Sequence, residues 1–464
     1  MPALPDLPAA DLSVAYARRD LSPVEVAEAV LARIEACEPR LNAMYRVSRD
    51  AALSAARESE RRWRAGASAS PLDGVPITLK ENLHTRGDPA PIGTAAGSLE
   101  PKTVDSPVAA RVREAGCVIV GKTTMPDFGM LSSGRSSIHG TTRNPWRLDR
   151  NPAGSSSGAA AAAAAGYGPL HVGTDIGGSV RLPCTHTGLF GLKPSGGRIP
   201  IDPPYMGRAA GPMTRSVRDA AMLMSVITRP DPRDWMSLPH QSLDYAAQLD
   251  GLSVRGLRIG LLPDMKAGLP VDPEVHATCE AAARALVNAG AIVEPMDSFM
   301  TAAMLEGICM FFEARSNLDV SAMTDAQRAA TLPFVIEWAT WRASSFSGCD
   351  VMAAYGQVMA MREAAVRAVG AFDFVLSPVS PVPPYAADLH APTEDPHRAL
   401  EHIAFTVAFN MSEQPAASVN WGYTADGLPI GVQLVGQRFD DLGTLRLARA
   451  MELLRPAQKA WPNP

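Results

Sequence analysis

Apolar residues recur along the chain with two spacings, one typical of amphipathic helices and one typical of buried strands. Helical spacing covers residues 24–37, 50–64, 107–115 and 272–288. Short apolar runs that predict strands end at Lys80 or cover residues 117–121, 169–172, 257–262 and 292–294. In two places a strand, a helix and a second strand follow one another, and this order favours parallel strands covered by helices. The pattern therefore predicts an α/β protein.

One stretch, residues 151–179, contains two serine-bearing glycine turns. Ser155 to Ser157 precede seven alanines, 159–165, and these predict a helix because alanine is the best helix former and lets neighbouring backbone approach closely. A short apolar strand follows, and then Gly177-Gly178 precede Ser179. Glycines remove side chains where backbone N–H groups could face a cavity, as an oxyanion hole requires. Ser179 is therefore the better candidate nucleophile.

Each of these serines also has a structural interpretation. Ser155 or Ser156 could be an N-cap, and the glycine pair before Ser179 could be an ordinary turn. The run from Gly154 to Gly158 also fits G-x-S-x-G, the nucleophile elbow of α/β-hydrolases, with Ser156 as nucleophile. That elbow must follow a strand. Residues 146–153 are polar and punctuated by proline, which disfavours the elbow.

A serine nucleophile needs a base, and the histidines near this stretch are poorly placed to serve. His171 falls in the predicted strand and His186 beyond the second turn; both are interpreted as packed or surface histidines. Lys80 ends an apolar strand-like run, so burial would lower its pKa toward a neutral, proton-accepting form. A lysine at a strand end can instead extend to water. Lys122, which follows another predicted strand, is the second lysine considered as base.

Lys80, the Gly-Ser-Ser turn and Gly-Gly-Ser-Val-Arg together resemble the amidase signature family of serine hydrolases. In that family a lysine, a bridging serine and a nucleophilic serine form a triad, and the resemblance assigns these roles to Lys80, Ser155 and Ser179. The spacing of the three residues matches the family, whereas the spacing of Lys122 does not, so Lys122 is interpreted as structural. Other segments that match are 143–146, 188–194, 211–220 and 427–433.

The length of 464 residues alone would allow about three domains, but the resemblance implies one amidase domain over residues 1–464. The implied fold is an α/β/α sandwich with a central mixed β-sheet covered by helices. Residues 1–70 would form an N-terminal helical cap, 71–228 the signature core, and 240–464 the variable substrate-pocket region and the C-terminal part of the sheet. A proline-rich linker would lie between the last two parts.

The resemblance also implies backbone groups around the nucleophile. The N–H groups of Ile176, Gly177, Gly178 and Ser179 would hold the oxyanion, and the loop containing Gly129 and Met130 would contact the substrate. The peptide bond before the bridging serine would be cis.

Opposite charges at Asp175 and Arg181 flank the second turn. The two residues are expected to pair and to fix the turn; a surface salt bridge is the alternative.

Residues 300–346 are rich in methionine, phenylalanine and tryptophan. Such a stripe forms core in many proteins, but in this family the corresponding region shapes the substrate cavity. The implied activity is hydrolysis of the C–N bond of amides with apolar or aryl substituents, such as aryl acylamides or carbamates. The alternatives are an esterase or carbamate hydrolase, and the A-type chain of a transfer-RNA amidotransferase, which acts in a complex. An inactive scaffold is disfavoured because Lys80, Ser155 and Ser179 are all present.

Composition narrows the partners. Charged residues make up 20% of the chain and the net charge is −5, which is typical of a soluble globular protein and offers no basis for binding nucleic acid. No apolar run is long enough to cross a bilayer, and no signal peptide is visible. Six cysteines are scattered without C-x-x-C pairs. We therefore expect a cytoplasmic monomer or homodimer that acts on a small molecule without metal or cofactor.

Overall fold

A computed structural model describes residues 3–464 of the chain. Its strands are β1 (Met44–Val47), β2 (Pro76–Lys80), β3 (Val118–Thr123), β4 (Arg135–Ser136), β5 (Gly140–Thr141), β6 (Leu170–Asp175), β7 (Phe190–Lys193), β8 (Ala209–Thr214), β9 (Arg258–Leu261), β10 (Ile292–Pro295), β11 (Phe374–Pro378), β12 (Ala416–Tyr423) and β13 (Pro429–Val435). Its helices are α1 (Ala9–Arg18), α2 (Pro23–Leu41), α3 (Arg49–Arg64), α4 (Pro107–Glu114), α5 (Ser157–Ala164), α6 (Arg181–Thr187), α7 (Val217–Ile227), α8 (Pro273–Asn288), α9 (Ala302–Ser321), α10 (Asp325–Ala330), α11 (Pro333–Thr340), α12 (Gly348–Val369), α13 (Ala404–Met411) and α14 (Asp441–Leu454).

Eleven of the described strands form one sheet, in the order β1-β3-β2-β6-β8-β7-β12-β13-β11-β9-β10. The pairs β2–β3, β2–β6, β9–β10 and β9–β11 are parallel, and the other neighbours are antiparallel. The inner strands are buried on both faces, as expected for a sheet covered by helices. The predicted α/β fold with a central mixed sheet is confirmed.

The predicted elements agree with the structure except at some of their ends. The backbone N–H of Ser22 donates to Glu25 at 2.8 Å, and this capping box begins α2 where the sequence predicts a helix. The predicted strand 169–172 is observed as β6, which continues to Asp175 because it pairs with β8 as far as Ala209. This extension carries Asp175 into the sheet, directly before the second glycine turn.

The alanine-rich helix α5 lies entirely inside the protein. Ala159 to Ala165 are at most 1% exposed, and the helix packs against β2, β3, β6 and α6. A Cβ atom added at Gly158 would collide with the carbonyl oxygen of Ala43 and with Thr124. Small residues are therefore required here because neighbouring backbone passes close to the helix.

The proline-rich segment 229–239 contains no helix or strand in the described chain. The strands after it join the same sheet as the strands before it, since β12 pairs with β7 in register Ala417 to Leu192. Within residues 3–464, no helix is both long and apolar enough to cross a membrane.

Candidate active site

The ends of β2 and β6 bring the two candidate regions together. These strands are adjacent and parallel, with Leu79 opposite Val172, so their carboxyl ends lie at the same edge of the sheet. Lys80 is the last residue of β2, and the turn that leads to Ser179 begins directly after β6. The edge of the sheet therefore places the candidate base beside the candidate nucleophile turn.

Lys80 is fully buried rather than extended to water. Its Nζ donates to Ser155 Oγ at 2.8 Å and to Thr174 Oγ1 at 3.0 Å. Burial lowers the pKa of Lys80 to about 7, and the positive charge of Arg208 lowers it further, against the opposing effect of Asp175. A neutral amine in contact with a serine hydroxyl is therefore available near neutral pH.

Ser155 and Ser179 line one cavity, in which they are 3% and 9% exposed. The peptide bond between Gly154 and Ser155 is cis. The backbone N–H of Ser156 donates to the carbonyl oxygen of Ser179 at 3.2 Å, and this bond ties the two turns together. No hydrogen bond joins the two hydroxyls in the part of the chain that the structure describes. The geometry thus links Lys80 to Ser155 directly and Ser179 to both through the shared cavity.

The second turn differs from the expected oxyanion hole at one residue. Ile176, Gly177 and Ser179 line the cavity, whereas the N–H of Gly178 donates to Asp175 Oδ1 at 2.8 Å inside the turn. The expectation that Gly178 is an oxyanion donor is therefore wrong, because its single N–H already has a partner. Ile176, Gly177 and Ser179 remain as candidate donors.

Asp175 and Arg181 pair inside the protein. Arg181 Nη2 lies 3.0 Å from Asp175 Oδ1, and neither side chain is exposed. The carboxylate also accepts the N–H of Val180 at 3.1 Å and the amide of Asn410 at 2.8 Å. Although burial opposes ionisation, Arg181 holds the pKa of Asp175 well below its ordinary value. The pair is confirmed and it is not a surface salt bridge, so it braces the turn before Ser179.

Ser156 takes neither of the two roles considered for it. It precedes α5, but its side chain forms no cap hydrogen bond. Instead its hydroxyl bonds to the backbone N–H and carbonyl of Thr174, each at 3.2 Å. Ser156 is fully buried, and no strand precedes it in residues 146–153. The nucleophile elbow is therefore excluded, and Ser156 fixes α5 against β6.

The other candidate bases contact structural partners. His171 bonds to Thr78 Oγ1 at 2.7 Å, and Nε2 of His186 lies 3.2 Å from the carbonyl of Val382. Burial lowers the pKa of each histidine to about 4. Lys122 donates to the carbonyl of Leu83. None of the three lines the cavity, which agrees with their interpretation as structural residues.

The cavity has a volume of about 890 Å³. Gly129 and Met130 lie on its wall, as the family resemblance implies. A Cβ at Gly129 would lie 3.3 Å from Ser155 Oγ, so this glycine lets the loop approach the serine closely. The aromatic-rich region divides: Phe312 and Trp338 line the cavity, while most of its other apolar residues pack in the core.

The sequence analysis missed a polar part of the cavity wall. Tyr205 and Arg208 come from the loop before β8, and Arg315 comes from α9. The only signal for the first two is their place in a loop between strands, where binding residues concentrate. In residues 3–464, no group of three or more His, Cys, Asp and Glu side chains is arranged to hold a metal ion.

Comparison with known proteins agrees with this geometry. The family model described as Amidase matches residues 25–445. The A-type chain of the glutamyl-tRNA(Gln) amidotransferase of Myxococcus xanthus is 37% identical over 97% of this chain and 97% of its own. An acylamidase of Rhodococcus erythropolis is 32% identical over 97% and 96% of the two chains.

Among solved structures, a bacterial aryl acylamidase of the amidase signature family superposes with a TM-score of 0.89 at 29% identity, over 97% of this chain and 96% of that one. The relatives and the family model thus cover nearly the whole chain, including both serine turns and Lys80. The chain therefore belongs to the amidase signature family and is an enzyme that hydrolyses carbon–nitrogen bonds.

Proposed function

We propose that the enzyme hydrolyses amides with apolar or aryl substituents, such as aryl acylamides or carbamates, through an acyl-enzyme on Ser179. The observation that carries this proposal is the hydrogen bond from the buried amine of Lys80 to Ser155 Oγ, at 2.8 Å. The bond lies beside the cavity that Ser179 also lines. An amide carbon is a poor electrophile, so its hydrolysis needs an activated nucleophile of this kind.

In the proposed reaction, Ser179 attacks the amide carbon while its proton passes to Ser155 and the proton of Ser155 passes to neutral Lys80. The backbone N–H groups of Ile176, Gly177 and Ser179 are the candidate donors to the oxyanion, and each such donor contributes roughly 3 kcal/mol. Reversal of the relay protonates the departing nitrogen. Water then enters, the same relay takes its proton, and the acyl group leaves Ser179 as a carboxylic or carbamic acid.

The apolar part of the cavity supports the proposed substrate class. Phe312, Trp338, Leu400 and Ile403 line it together, and aromatic and aliphatic walls favour apolar substituents. The acylamidase and aryl acylamidase among the similar proteins agree with an acyl or aryl substrate.

A second candidate is the A-type chain of a transfer-RNA amidotransferase, which would act in a complex. The 37% identity to the Myxococcus xanthus protein supports it. Against it stands the apolar wall of the cavity, which favours a small molecule with an apolar substituent as the substrate. We propose that the enzyme acts without other protein chains, as a monomer or homodimer.

A substrate panel tests the proposed function. The purified chain is assayed without ATP or other proteins on anilides, aryl carbamates, aryl esters and primary amides, with release of amine or alcohol as the readout. We expect turnover of anilides or carbamates, and a fluorophosphonate should label Ser179, as located by mass spectrometry. Activity that requires both ATP and further protein chains would support the amidotransferase, and a label on another serine would contradict the assigned nucleophile.

A further inference from the structure

Two arginines form a cationic part of the cavity wall beside its apolar surface. Arg208 lies just before β8, and its Nη1 donates to the carbonyl of Pro203 at 2.8 Å. The guanidinium of Arg315, from α9, lies 4.8 Å from the centre of the Tyr205 ring. All four residues line the cavity. The two guanidinium groups are therefore held by a carbonyl and by a ring face, and neither holder carries a negative charge.

Neither arginine has an ionic partner in the described residues. No carboxylate oxygen lies within 4.0 Å of either guanidinium, although Asp202 and Asp319 line the same cavity. Most arginines of this chain, such as Arg181 and Arg342, do form such pairs. A cation held partly out of water without an anion is costly, so an anionic ligand would gain from binding here.

The two cations also act on each other. Burial and the neighbouring charge of Arg315 lower the pKa of Arg208 to about 10, against the opposing effect of Asp202. Arg208 therefore remains charged at neutral pH while lying close enough to Arg315 to be repelled by it. A single anion between them would relieve this repulsion and would accept hydrogen bonds from the remaining guanidinium donors.

We propose that Arg208, assisted by Arg315, binds a carboxylate on the substrate. The substrate class is then an amide with an apolar body for the Phe312 and Trp338 wall and one carboxylate for the two arginines. The carboxylate can belong to the acyl half or to the amine half of the amide, because the cavity that holds the arginines also holds Ser155 and Ser179. This inference rests on the proposed amidase function and specifies its substrate.

Two matched substrate pairs test the inference. Succinic acid monoanilide against butyranilide places the carboxylate on the acyl half, and 4-acetamidobenzoate against acetanilide places it on the amine half. For each pair, the ratio of kcat/KM for the anionic member to kcat/KM for the neutral member is measured. We expect a ratio above one for at least one pair, and the pair that shows it identifies the half that carries the carboxylate.

Substitution assigns the preference to the arginine. Arg208→Gln should lower that ratio by about 10- to 100-fold, the range for loss of a hydrogen bond between charged groups. Arg208→Lys, which keeps the charge but loses the planar fork, should restore part of it. Arg367→Gln is the matched control, because Arg367 is an exposed arginine of α12 with a carboxylate neighbour and lies outside the cavity. This control should keep the wild-type ratio.

A binding measurement gives a readout that does not need turnover. Calorimetric titration of 4-acetamidobenzoate and succinic acid monoanilide into the Ser179→Ala variant should detect binding of at least one of them. Addition of Arg208→Gln to that variant should weaken it by about 10- to 100-fold. If Arg208→Gln does not fold, the same titration with Arg315→Gln, whose side chain is exposed, should show a smaller loss in the same direction.

The inference is overturned if Arg208→Gln leaves the anionic-to-neutral ratio within twofold of the wild-type value, or if a cationic anilide such as 4-(aminomethyl)acetanilide is the preferred substrate. In either case neutral anilides cleaved by Ser179 would still support the proposed function. If no member of either pair is cleaved and fluorophosphonate labels no serine, the proposed function and this inference both fail.

Discussion

Lys80 can serve as a base near neutral pH because burial removes the water that would stabilise its ammonium form. Its amine has two hydroxyl partners, Ser155 and Thr174, and no carboxylate in hydrogen-bonding contact. Arg208 adds a positive charge nearby. At the scale of single residues, the chemistry of the site therefore depends on what surrounds one lysine, and three predictions follow from this environment and from the serine it serves.

The first concerns pH. Since the neutral amine is the base and the pKa of Lys80 is lowered to about 7, kcat/KM for an anilide should rise through about pH 7 and level off above it. This parameter reports ionisations of the free enzyme. Lys80→Ala should remove the rising limb with most of the amidase activity. Aryl ester hydrolysis should fall less, because an alkoxide or phenoxide leaves with less need for a proton than an amine does.

Lys122 provides the control for this measurement. It is as fully buried as Lys80, and burial lowers its pKa to about 7 as well, but its amine donates to the carbonyl of Leu83. Lys122→Met should therefore keep the rising limb. If Lys80→Ala keeps the limb and lowers ester and amide hydrolysis equally, Lys80 only positions the serines.

The second prediction separates the charge of Arg208 from its contact with substrate. Arg208 lowers the pKa of Lys80, so Arg208→Gln should raise that pKa and move the rising limb for a neutral anilide to higher pH. Arg315→Gln serves as the comparison, since Arg315 is not among the charges that shift Lys80. The pH dependence of kcat/KM decides between them; a limb that stays in place in Arg208→Gln would show that its charge does not reach the base.

The third prediction concerns the nucleophile. Ser179→Ala should lower kcat by about 10⁴-fold or more, as is found when a serine nucleophile is removed. The fold should remain intact because the turn is held by backbone and by Asp175, not by the hydroxyl of Ser179. Burst kinetics and circular dichroism together test both parts. Turnover within tenfold of wild type would remove Ser179 from the proposed role.

At the scale of elements, α5 and the strands around it depend on the absence of side chains. Gly158 lies in the first turn of α5, where the backbone of Ala43 and Thr124 leaves no room for a Cβ atom. Gly356, in the middle of α12, has no atom within 4 Å of the corresponding position. Two glycines in helices of the same protein thus differ in the reason for which they are present.

This difference predicts opposite effects of one substitution. Gly158→Ala should lower the free energy of unfolding by about 1–3 kcal/mol, because the added methyl overpacks a close contact. Gly356→Ala should raise it by about 0.5–1 kcal/mol, because alanine is the better helix former and nothing obstructs it. Urea denaturation of both variants measures the changes. A neutral or stabilising effect of Gly158→Ala would show that the helix can shift away from β3.

At the scale of the whole molecule, the order of the sheet joins the two halves of the chain. β12 and β13, from the second half, lie between β7 of the first half and β11. The antiparallel pair of β7 and β12 therefore crosses the proline-rich segment 229–239. Neither half can complete its part of the sheet without the other.

The predicted single domain over residues 1–464 is tested at this scale. Unfolding should be one cooperative transition, with coincident midpoints for tryptophan fluorescence and far-ultraviolet circular dichroism. Scanning calorimetry should give equal calorimetric and van't Hoff enthalpies. Two separated transitions, or a stable fragment after proteolysis within 229–239, would contradict the prediction and divide the chain at that segment.

Local physics explains what the sequence by itself determined. An alanine run after Ser157 forms a helix, Ser22 and Glu25 cap another, and glycines next to Ser179 form a turn, since each outcome depends on neighbours within a few residues. The spacing of Lys80, Ser155 and Ser179 added the family. Together these observations predicted the fold class, the candidate triad and the turn that holds the candidate oxyanion donors.

The tertiary structure decided which groups within those segments face the cavity. Gly178 has the same chemistry as Gly177, but its N–H is taken by Asp175 because β6 pairs with β8 up to that residue. Arg208 reaches the cavity and the vicinity of Lys80 although the two residues are remote in sequence. Phe312 lines the cavity because of how α9 packs, not because of its own type. Side-chain direction and partner depend on contacts between distant elements, and no local pattern encodes those contacts.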